Sequence, residues 1–228
     1  MPAARRWTKA RAAAHLTPVA TGRFITLEGG EGTGKSTQAL RLAARLTGRG
    51  RRVVTTREPG GSPGAESIRE LLVTGAADRW SPITEALLMY AARRDHIERT
   101  IAPALAAGDW VVCDRFADST RAYQGAGGGA PASFIQALER YVLGETRPDL
   151  TLVLDLPVEV GLARAAGRGG EEARFEGKDL EFHQRLRAGF LEIARREPVR
   201  CVVIDAAGDA DTVAARVWDV VAARLGAH

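Results

Sequence analysis

The stretch Gly29-Gly30-Glu31-Gly32-Thr33-Gly34-Lys35-Ser36 fills every fixed position of the pattern G-x-x-x-x-G-K-[ST]. An apolar run at residues 24–29, typical of a buried strand, leads into it, and a helical pattern at residues 36–48 follows. A glycine-rich turn between a strand and a helix offers backbone N–H groups and a positive helix end to an anion. The sequence therefore predicts a polyphosphate-binding loop, in which Lys35 reaches the β- and γ-phosphates and Ser36 coordinates Mg²⁺.

Short apolar runs alternate with helical patterns along the rest of the chain. The runs are rich in Val, Ile or Leu and cover residues 24–29, 53–58, 110–114, 151–156 and 201–205. The helical patterns cover residues 36–48, 64–73, 81–107, 132–143, 180–196 and 210–225. Strands that are apolar on both faces are typical of a parallel sheet covered by helices. The alternation predicts an α/β domain with a five-stranded parallel sheet, whose ligands bind at the carboxyl ends of the strands.

Length and charge limit the domain organisation. The chain has 228 residues and a net charge of +4, but residues 1–27 hold five basic residues and no acid. The remaining chain has 27 basic residues against 28 acidic ones, so no basic nucleic-acid-binding surface is indicated. We expect residues 1–21 to be a disordered basic extension, or alternatively an organelle transit peptide, and residues 22–228 to be one domain. No apolar run is long enough to span a bilayer, and we expect a cytoplasmic protein without a membrane partner.

Three absences narrow the class of nucleotide-binding protein. The chain contains no Asn, so the guanine-reading motif N-K-x-D of GTPases is excluded. Neither Asp114 nor Asp155 is followed by the Glu expected of motor ATPases that activate water, and the chain is too short for a large motor module. A transferase that moves a phosphoryl group to a small acceptor remains, with a P-loop ATPase that binds nucleic acid through its basic tail as the alternative.

Arginine and polar side chains near strand ends form a second candidate constellation. Arg57 and Arg115 follow the second and third strands, and a planar guanidinium binds two oxygens of a phosphate at once. Arg93 lies on a predicted helix, and residues 119–124 are expected in the loop after the third strand. We interpret these residues as an anion-and-base pocket facing the phosphate loop.

Several blocks of the sequence resemble those of the thymidylate kinase family. They are LEGGEG at residues 27–32, TREPGG at 56–61, YAAR at 90–93, DRF at 114–116, STRAYQG at 119–125, RPDL at 147–150 and FHQR at 182–185. The resemblance runs from about residue 23 to the C-terminus. It implies a fold like that of P-loop nucleoside monophosphate kinases, phosphorylation of dTMP to dTDP with ATP and Mg²⁺, and a homodimer. A kinase for another nucleoside monophosphate remains an alternative.

The phosphate-loop motif and the resemblance together imply a role for each candidate residue. ATP binding is assigned to Gly29, Gly30, Glu31, Gly32, Thr33, Gly34, Lys35, Ser36, Thr37 and Arg164. Binding of dTMP is assigned to Glu31, Arg57, Met89, Arg93, Arg115, Thr120, Tyr123 and Gln124. Catalysis is assigned to Lys35, Arg57, Arg115, Arg168 and Arg174, and Mg²⁺ to Ser36 and Asp114.

Some of these roles are specific to the acceptor nucleotide. The resemblance implies that Glu31 meets the deoxyribose 3′-hydroxyl, Arg93 the thymine edge, and Tyr123 the position of a 2′-hydroxyl. Met89 stands where the family commonly has a Phe that stacks on thymine, and Phe116 stands where it has Tyr or His.

A lid is expected at about residues 164–178, where glycines alternate with arginines. Because residue 31 is acidic, the resemblance implies that the lid, and not the phosphate loop, carries the arginine that acts on the transferring phosphoryl group.

Overall fold

The structure is a computed structural model that describes residues 22–76, 78–166 and 177–227. Its centre is a five-stranded parallel sheet with the strand order β2-β3-β1-β4-β5. The strands are β1 (Phe24–Glu28), β2 (Val53–Arg57), β3 (Trp110–Asp114), β4 (Leu150–Asp155) and β5 (Cys201–Asp205). The predicted fold class is confirmed, and each strand boundary lies within one residue of its predicted position.

Helices cover both faces of the sheet. They are α1 (Lys35–Gly48), α2 (Pro63–Val73), α3 (Pro82–His96), α4 (Ala102–Ala106), α5 (Ala117–Thr120), α6 (Ala132–Val142), α7 (Val158–Ala166), α8 (Leu180–Arg196) and α9 (Ala210–Leu225). Two π-helical turns, Ile97–Ile101 and Arg121–Gly127, continue α3 and α5. No helix in the three described ranges is long and apolar enough to span a membrane.

Alternate residues of each strand pack into two different cores. In β1, Ile25 and Leu27 belong to the core under α1 and α9, whereas Phe24 belongs to the core under α3 and α6. In β3, Val112 belongs to the first of these cores and Val111 to the second. Successive side chains of a strand point to opposite faces, so strands that are apolar throughout fit a sheet with helices on both faces.

Three predictions of secondary structure are corrected. The helix predicted at residues 81–107 is divided into α3, the first π-helical turn and α4, because Pro103 cannot donate a backbone hydrogen bond inside a continuous helix. The loop predicted for residues 119–124 is wrong, since these residues lie in α5 and the second π-helical turn. Helix α7 was missed because it has only nine residues and Gly161 interrupts its apolar pattern.

The phosphate loop contacts α7 backbone to backbone. A Cβ at Gly32 would lie 1.9 Å from the carbonyl oxygen of Gly161, and a Cβ at Gly161 would lie 2.4 Å from the carbonyl oxygen of Glu31. Neither position has room for a side chain. The loop is thus held against the helix that leads into the expected lid.

We predict that Gly161→Ala destabilises the protein by about 1–3 kcal/mol, because the added methyl group meets backbone and cannot be accommodated by a rotamer change. At an unconstrained helix position the same substitution stabilises by up to about 1 kcal/mol. Gly48→Ala is the matched control, since nothing lies within 4 Å of its added Cβ. Denaturant unfolding of both variants measures the two effects, and equal stabilities would show that α7 can move away from the loop.

Candidate active site

The phosphate loop closes over its own lysine. Nζ of Lys35 donates to the carbonyl oxygen of Gly30 at 2.7 Å, and Oγ1 of Thr33 donates to the same oxygen at 3.0 Å. Gly34 precedes α1 in the left-handed conformation, with φ 87°, and no side chain caps the helix. A helix start whose backbone N–H groups are not capped by a side chain suits an anion.

A pair of oxygen ligands lies beside the loop. Oγ of Ser36 donates to Oδ2 of Asp114, while Oδ1 of Asp114 is buried and has no hydrogen-bond partner in the described part of the chain. Within that part, no group of three or more His, Cys, Asp or Glu residues could hold a metal ion alone. The pair suits Mg²⁺, which is usually bound by one or two carboxylates together with phosphate oxygens and water.

The central cleft opens next to the phosphate loop and spans about 440 Å³, including the open solvent at its mouth. Its lining residues are Glu31, Glu58, Pro59, Val73, Met89, Arg93, Arg115, Phe116, Ser119, Thr120, Tyr123 and Gln124. Two helical faces form its walls. Met89 and Arg93 are four residues apart on α3, and Thr120, Tyr123 and Gln124 share one face of α5 and the second π-helical turn. All the candidate dTMP-binding residues except Arg57 line this cleft.

Arg115 joins the cleft to the phosphate loop. Its φ is 68°, which no other described non-glycine residue shows in the left-handed region. Its guanidinium donates to the carbonyl oxygen of Gly29 at 3.1 Å and to Oε2 of Glu31 at 3.2 Å, and lies 4.9 Å from the ring centre of Tyr123. Such a strained backbone persists only where the surroundings hold it, and it is characteristic of functional positions.

Glu31 is buried and ionised. Burial raises the pKa of its carboxyl group, but Arg115, Lys35 and the hydroxyl group of Tyr123, which donates to Oε1, together hold that pKa below its ordinary value. A fixed carboxylate at the entrance of the central cleft is an acceptor for a ligand hydroxyl group.

Two polar atoms of the cleft residues are buried without a partner in the described ranges. Arg93 donates through Nε to Glu58 at 2.7 Å and through Nη2 to the carbonyl oxygen of Phe116 and to Thr120, but its Nη1 has no acceptor. Oε1 of Gln124 has no donor. Buried polar atoms are nearly always hydrogen-bonded, so this donor and this acceptor indicate a ligand with a complementary polar edge.

Comparison with known proteins identifies the family. The family model described as thymidylate kinase matches residues 27–217. The thymidylate kinase of Caulobacter vibrioides is 72% identical over 205 residues, which cover 90% of this chain and 98% of that protein. The thymidylate kinase of Bradyrhizobium diazoefficiens is 56% identical over 206 residues, which cover 90% of both chains. The chain belongs to the thymidylate kinase family.

A solved structure agrees with this assignment. The crystal structure of thymidylate kinase from Ehrlichia chaffeensis matches with a TM-score of 0.73 at 36% identity, over 88% of this chain and 98% of that one. The resemblance in the sequence blocks is thereby confirmed, as are the fold and the assignment as a nucleotide-binding kinase. The individual residue roles remain predictions.

Arg57 lies outside the central cleft. It lines a separate cleft with Ser36 and Asp114, its side chain is half exposed, and its Nη2 lies 3.3 Å from Oε2 of Glu66. The role of Arg57 towards the acceptor phosphate stays a prediction.

The lid is described only in part. Arg164, at the end of α7, donates to the carbonyl oxygens of Ala206 at 3.4 Å and Gly208 at 3.3 Å, so it lies against the loop after β5. The two candidate catalytic arginines of the lid, Arg168 and Arg174, lie outside the described residues.

Sequence reasoning missed the carboxylates that support the site. Glu28 is fully buried at the end of β1 and accepts hydrogen bonds from the N–H of Phe116 at 2.8 Å and from the hydroxyl group of Ser119 at 2.6 Å. It thus fixes the turn that contains Arg115. Burial, with a contribution from Asp118, raises its pKa to about 7. The sequence feature that could have indicated Glu28 is an acidic residue at the end of an apolar strand.

We predict that the stability of the wild type falls relative to that of Glu28→Gln as the pH rises. The pKa of Glu28 is about 7 in the folded protein and ordinarily 4.5. As the pH rises, the unfolded chain therefore loses this proton at a lower pH than the folded protein does. The stabilisation from the protonated carboxyl group is complete below pH 4.5 and is lost as the pH rises through 7. The loss should be about 3 kcal/mol. Denaturant unfolding of both proteins across this range measures it, and a difference that does not change with pH would show that Glu28 ionises normally.

Proposed function

We propose that this chain transfers the γ-phosphoryl group of ATP directly to dTMP, giving dTDP and ADP and so supplying dTTP synthesis. The observation that carries the proposal is the pair of unpartnered atoms in the central cleft, Nη1 of Arg93 and Oε1 of Gln124. One is a donor and the other an acceptor. Thymine presents the complementary pair on one edge, because its O4 accepts a hydrogen bond and the neighbouring N3–H donates one.

The same pair disfavours cytosine. Its exocyclic amine would face the guanidinium of Arg93, and its unprotonated N3 would face Oε1 of Gln124. Each contact would leave buried polar atoms unsatisfied, at a cost of about 1–3 kcal/mol per group. The cleft therefore favours thymine or uracil over cytosine.

Ser36 and Asp114 are the residues that would hold Mg²⁺, since the orphaned Oδ1 of Asp114 supplies the ligand type that this ion prefers. When bound, the ion neutralises charge on the phosphate oxygens. Lys35, on the phosphate loop, contributes positive charge on the ATP side.

Phosphoryl transfer here depends on positioning. The attacking phosphate oxygen of dTMP is already ionised at neutral pH, so no strong base is needed. Arg115 bridges the central cleft and the phosphate loop, and we infer that it orients the acceptor phosphate towards the γ-phosphorus. Arg57 is the second candidate for this role.

The proposal extends to features outside the site. We infer a homodimer, a lid at about residues 164–178, and a cytoplasmic location, with residues 1–21 as an extension of the kinase domain. An alternative is a P-loop ATPase whose basic extension binds nucleic acid. The near balance of charge beyond residue 27 supports the kinase.

A coupled assay of ADP formation with dTMP, dUMP, dCMP, dGMP and UMP tests the function. We expect the highest kcat/KM with dTMP and very little turnover of dCMP. Turnover without any acceptor, together with salt-dependent DNA binding that is lost on deletion of residues 1–21, would favour the ATPase alternative.

We predict that the wild type prefers dTMP to ribothymidine monophosphate and that Tyr123→Phe reduces this preference about tenfold, or about 1.4 kcal/mol. The hydroxyl group of Tyr123 is held by Glu31 in the central cleft, where it crowds a 2′-hydroxyl. Tyr141→Phe is the matched control, because that side chain is exposed on α6. Equal kcat/KM values for the two nucleotides in the wild type would contradict the role of Tyr123.

We predict that Arg168→Ala or Arg174→Ala lowers kcat by up to about 10³-fold with little change in either KM, as expected for a side chain that contacts the transferring phosphoryl group. Arg164→Ala should instead raise the KM for ATP, because this residue is assigned to ATP binding. Its side chain lies against the loop after β5. Arg195→Ala, exposed on α8, is the control. Wild-type turnover in both lid variants would mean that Arg57 or Arg115 supplies the positive charge that acts on the transferring phosphoryl group.

A further inference from the structure

The amide group of Gln124 has two possible orientations, and they present opposite chemistry to the central cleft. With Oε1 towards the cleft it accepts a hydrogen bond, and with Nε2 towards the cleft it donates one. Oε1 is the atom without a partner, whereas Nε2 donates to Oε2 of Glu85 at 3.0 Å. The group that Gln124 offers to a base therefore depends on a contact made outside the cleft.

Glu85 determines which orientation is stable. It is buried on α3, is not among the residues that line the central cleft, and faces the amide of Gln124 with an oxygen. A carboxylate only accepts hydrogen bonds, so rotating the amide by 180° would place two acceptor oxygens against each other and remove the hydrogen bond between Gln124 and Glu85. Glu85 thus holds the donor end of the amide away from the cleft.

We propose that Glu85 is a positioning residue for base selection. By fixing the amide of Gln124, it makes the central cleft select a pyrimidine with a protonated N3 beside a 4-oxo group and reject one with a bare N3 beside a 4-amino group. This inference rests on the proposed function, in which the cleft holds the base of the acceptor nucleotide.

The surrounding geometry also supports a positioning role for Glu85 and a base-contacting role for Gln124. Glu85, Met89 and Arg93 lie at intervals of four residues along one face of α3, and Thr120 and Gln124 are four residues apart on the opposite wall. A hydrogen bond crosses between the walls at each end, from Gln124 to Glu85 and from Arg93 to Thr120. The atoms left for the base, Nη1 and Oε1, belong to these two pairs.

A second buried carboxylate, that of Glu58, positions the donor Arg93, just as Glu85 positions the acceptor Gln124. Glu58 accepts a hydrogen bond from Nε of Arg93 at 2.7 Å and also lies 3.0 Å from Nδ1 of His96. With Nε and Nη2 of Arg93 occupied, Nη1 is the nitrogen left for a base. The selectivity of the cleft is therefore set partly by acids that the base does not need to contact.

The decisive experiment measures kcat/KM for dTMP and dCMP in the wild type and in Glu85→Gln. The glutamine at residue 85 can turn either its oxygen or its nitrogen towards Gln124, so both orientations of Gln124 become available. We expect kcat/KM for dTMP to fall about tenfold through KM, and the ratio of dTMP to dCMP to fall at least about tenfold. Calorimetric Kd values for the two nucleotides without ATP should change in the same ratio.

Glu98→Gln is the matched control, because it makes the same carboxylate-to-amide change at an exposed residue that pairs with Arg94. It should leave the ratio unchanged. Glu85→Asp keeps the acceptor with a shorter reach and should give a ratio between those of the wild type and Glu85→Gln, provided that thermal unfolding shows all variants to be folded. This variant carries the test if Glu85→Gln does not fold.

The possible results separate the two hypotheses. If the wild type does not phosphorylate dTMP, the proposed function fails. If it does, and kcat/KM falls equally for dTMP and dCMP in Glu85→Gln and in Glu85→Asp, Glu85 is only structural and the inference about base selection is overturned. In combination with Gln124→Met, which removes the amide, Glu85→Gln should change the ratio no further, whereas independent effects would be additive.

Discussion

The ion pair between Arg115 and Glu31 is the constraint on which the rest of the site depends. Glu31 belongs to the loop after β1 and Arg115 follows β3, and these adjacent strands place Leu27 opposite Asp114. The pair is buried, so its desolvation must be offset by further hydrogen bonds, which come from Gly29 and Tyr123. Breaking a buried ion pair by removing one partner typically costs about 3–5 kcal/mol. The phosphate loop and the central cleft are therefore parts of one electrostatic unit.

Buried carboxylates form a supporting layer behind this unit. Glu28 holds the backbone of the turn that contains Arg115, Glu58 holds the guanidinium of Arg93, and Glu85 holds the amide of Gln124. Each carboxylate engages one hydrogen-bond donor of its partner residue. It thereby determines which other polar group of that residue is presented to the ligand. An apolar sheet with acids at the carboxyl ends of its strands or on the facing helix can in this way present fixed polar atoms to a ligand.

The sequence was informative where the signal is local. The phosphate loop, the five strands and most helices follow from spacing and apolar patterns within short windows, and their positions were predicted to within a few residues. Side-chain placement was not predictable in the same way. For example, no local pattern indicates that Arg57 pairs with Glu66 on α2 and lies with Ser36 and Asp114 beside a cleft other than the central one. The contacts of Glu28 are with residues 88 and 91 positions further along the chain, a separation that no local pattern encodes.

The second π-helical turn places Tyr123 and Gln124 on the wall of the central cleft by helical spacing from Thr120. Consecutive residues of any helical turn point in different directions about its axis. Deletion of one residue between Thr120 and Gln124 would therefore swing the amide off the wall while barely changing the path of the chain. Insertions and deletions that accumulate during divergence should for this reason be excluded between Thr120 and Gln124, and the spacing between these polar residues should be inherited unchanged.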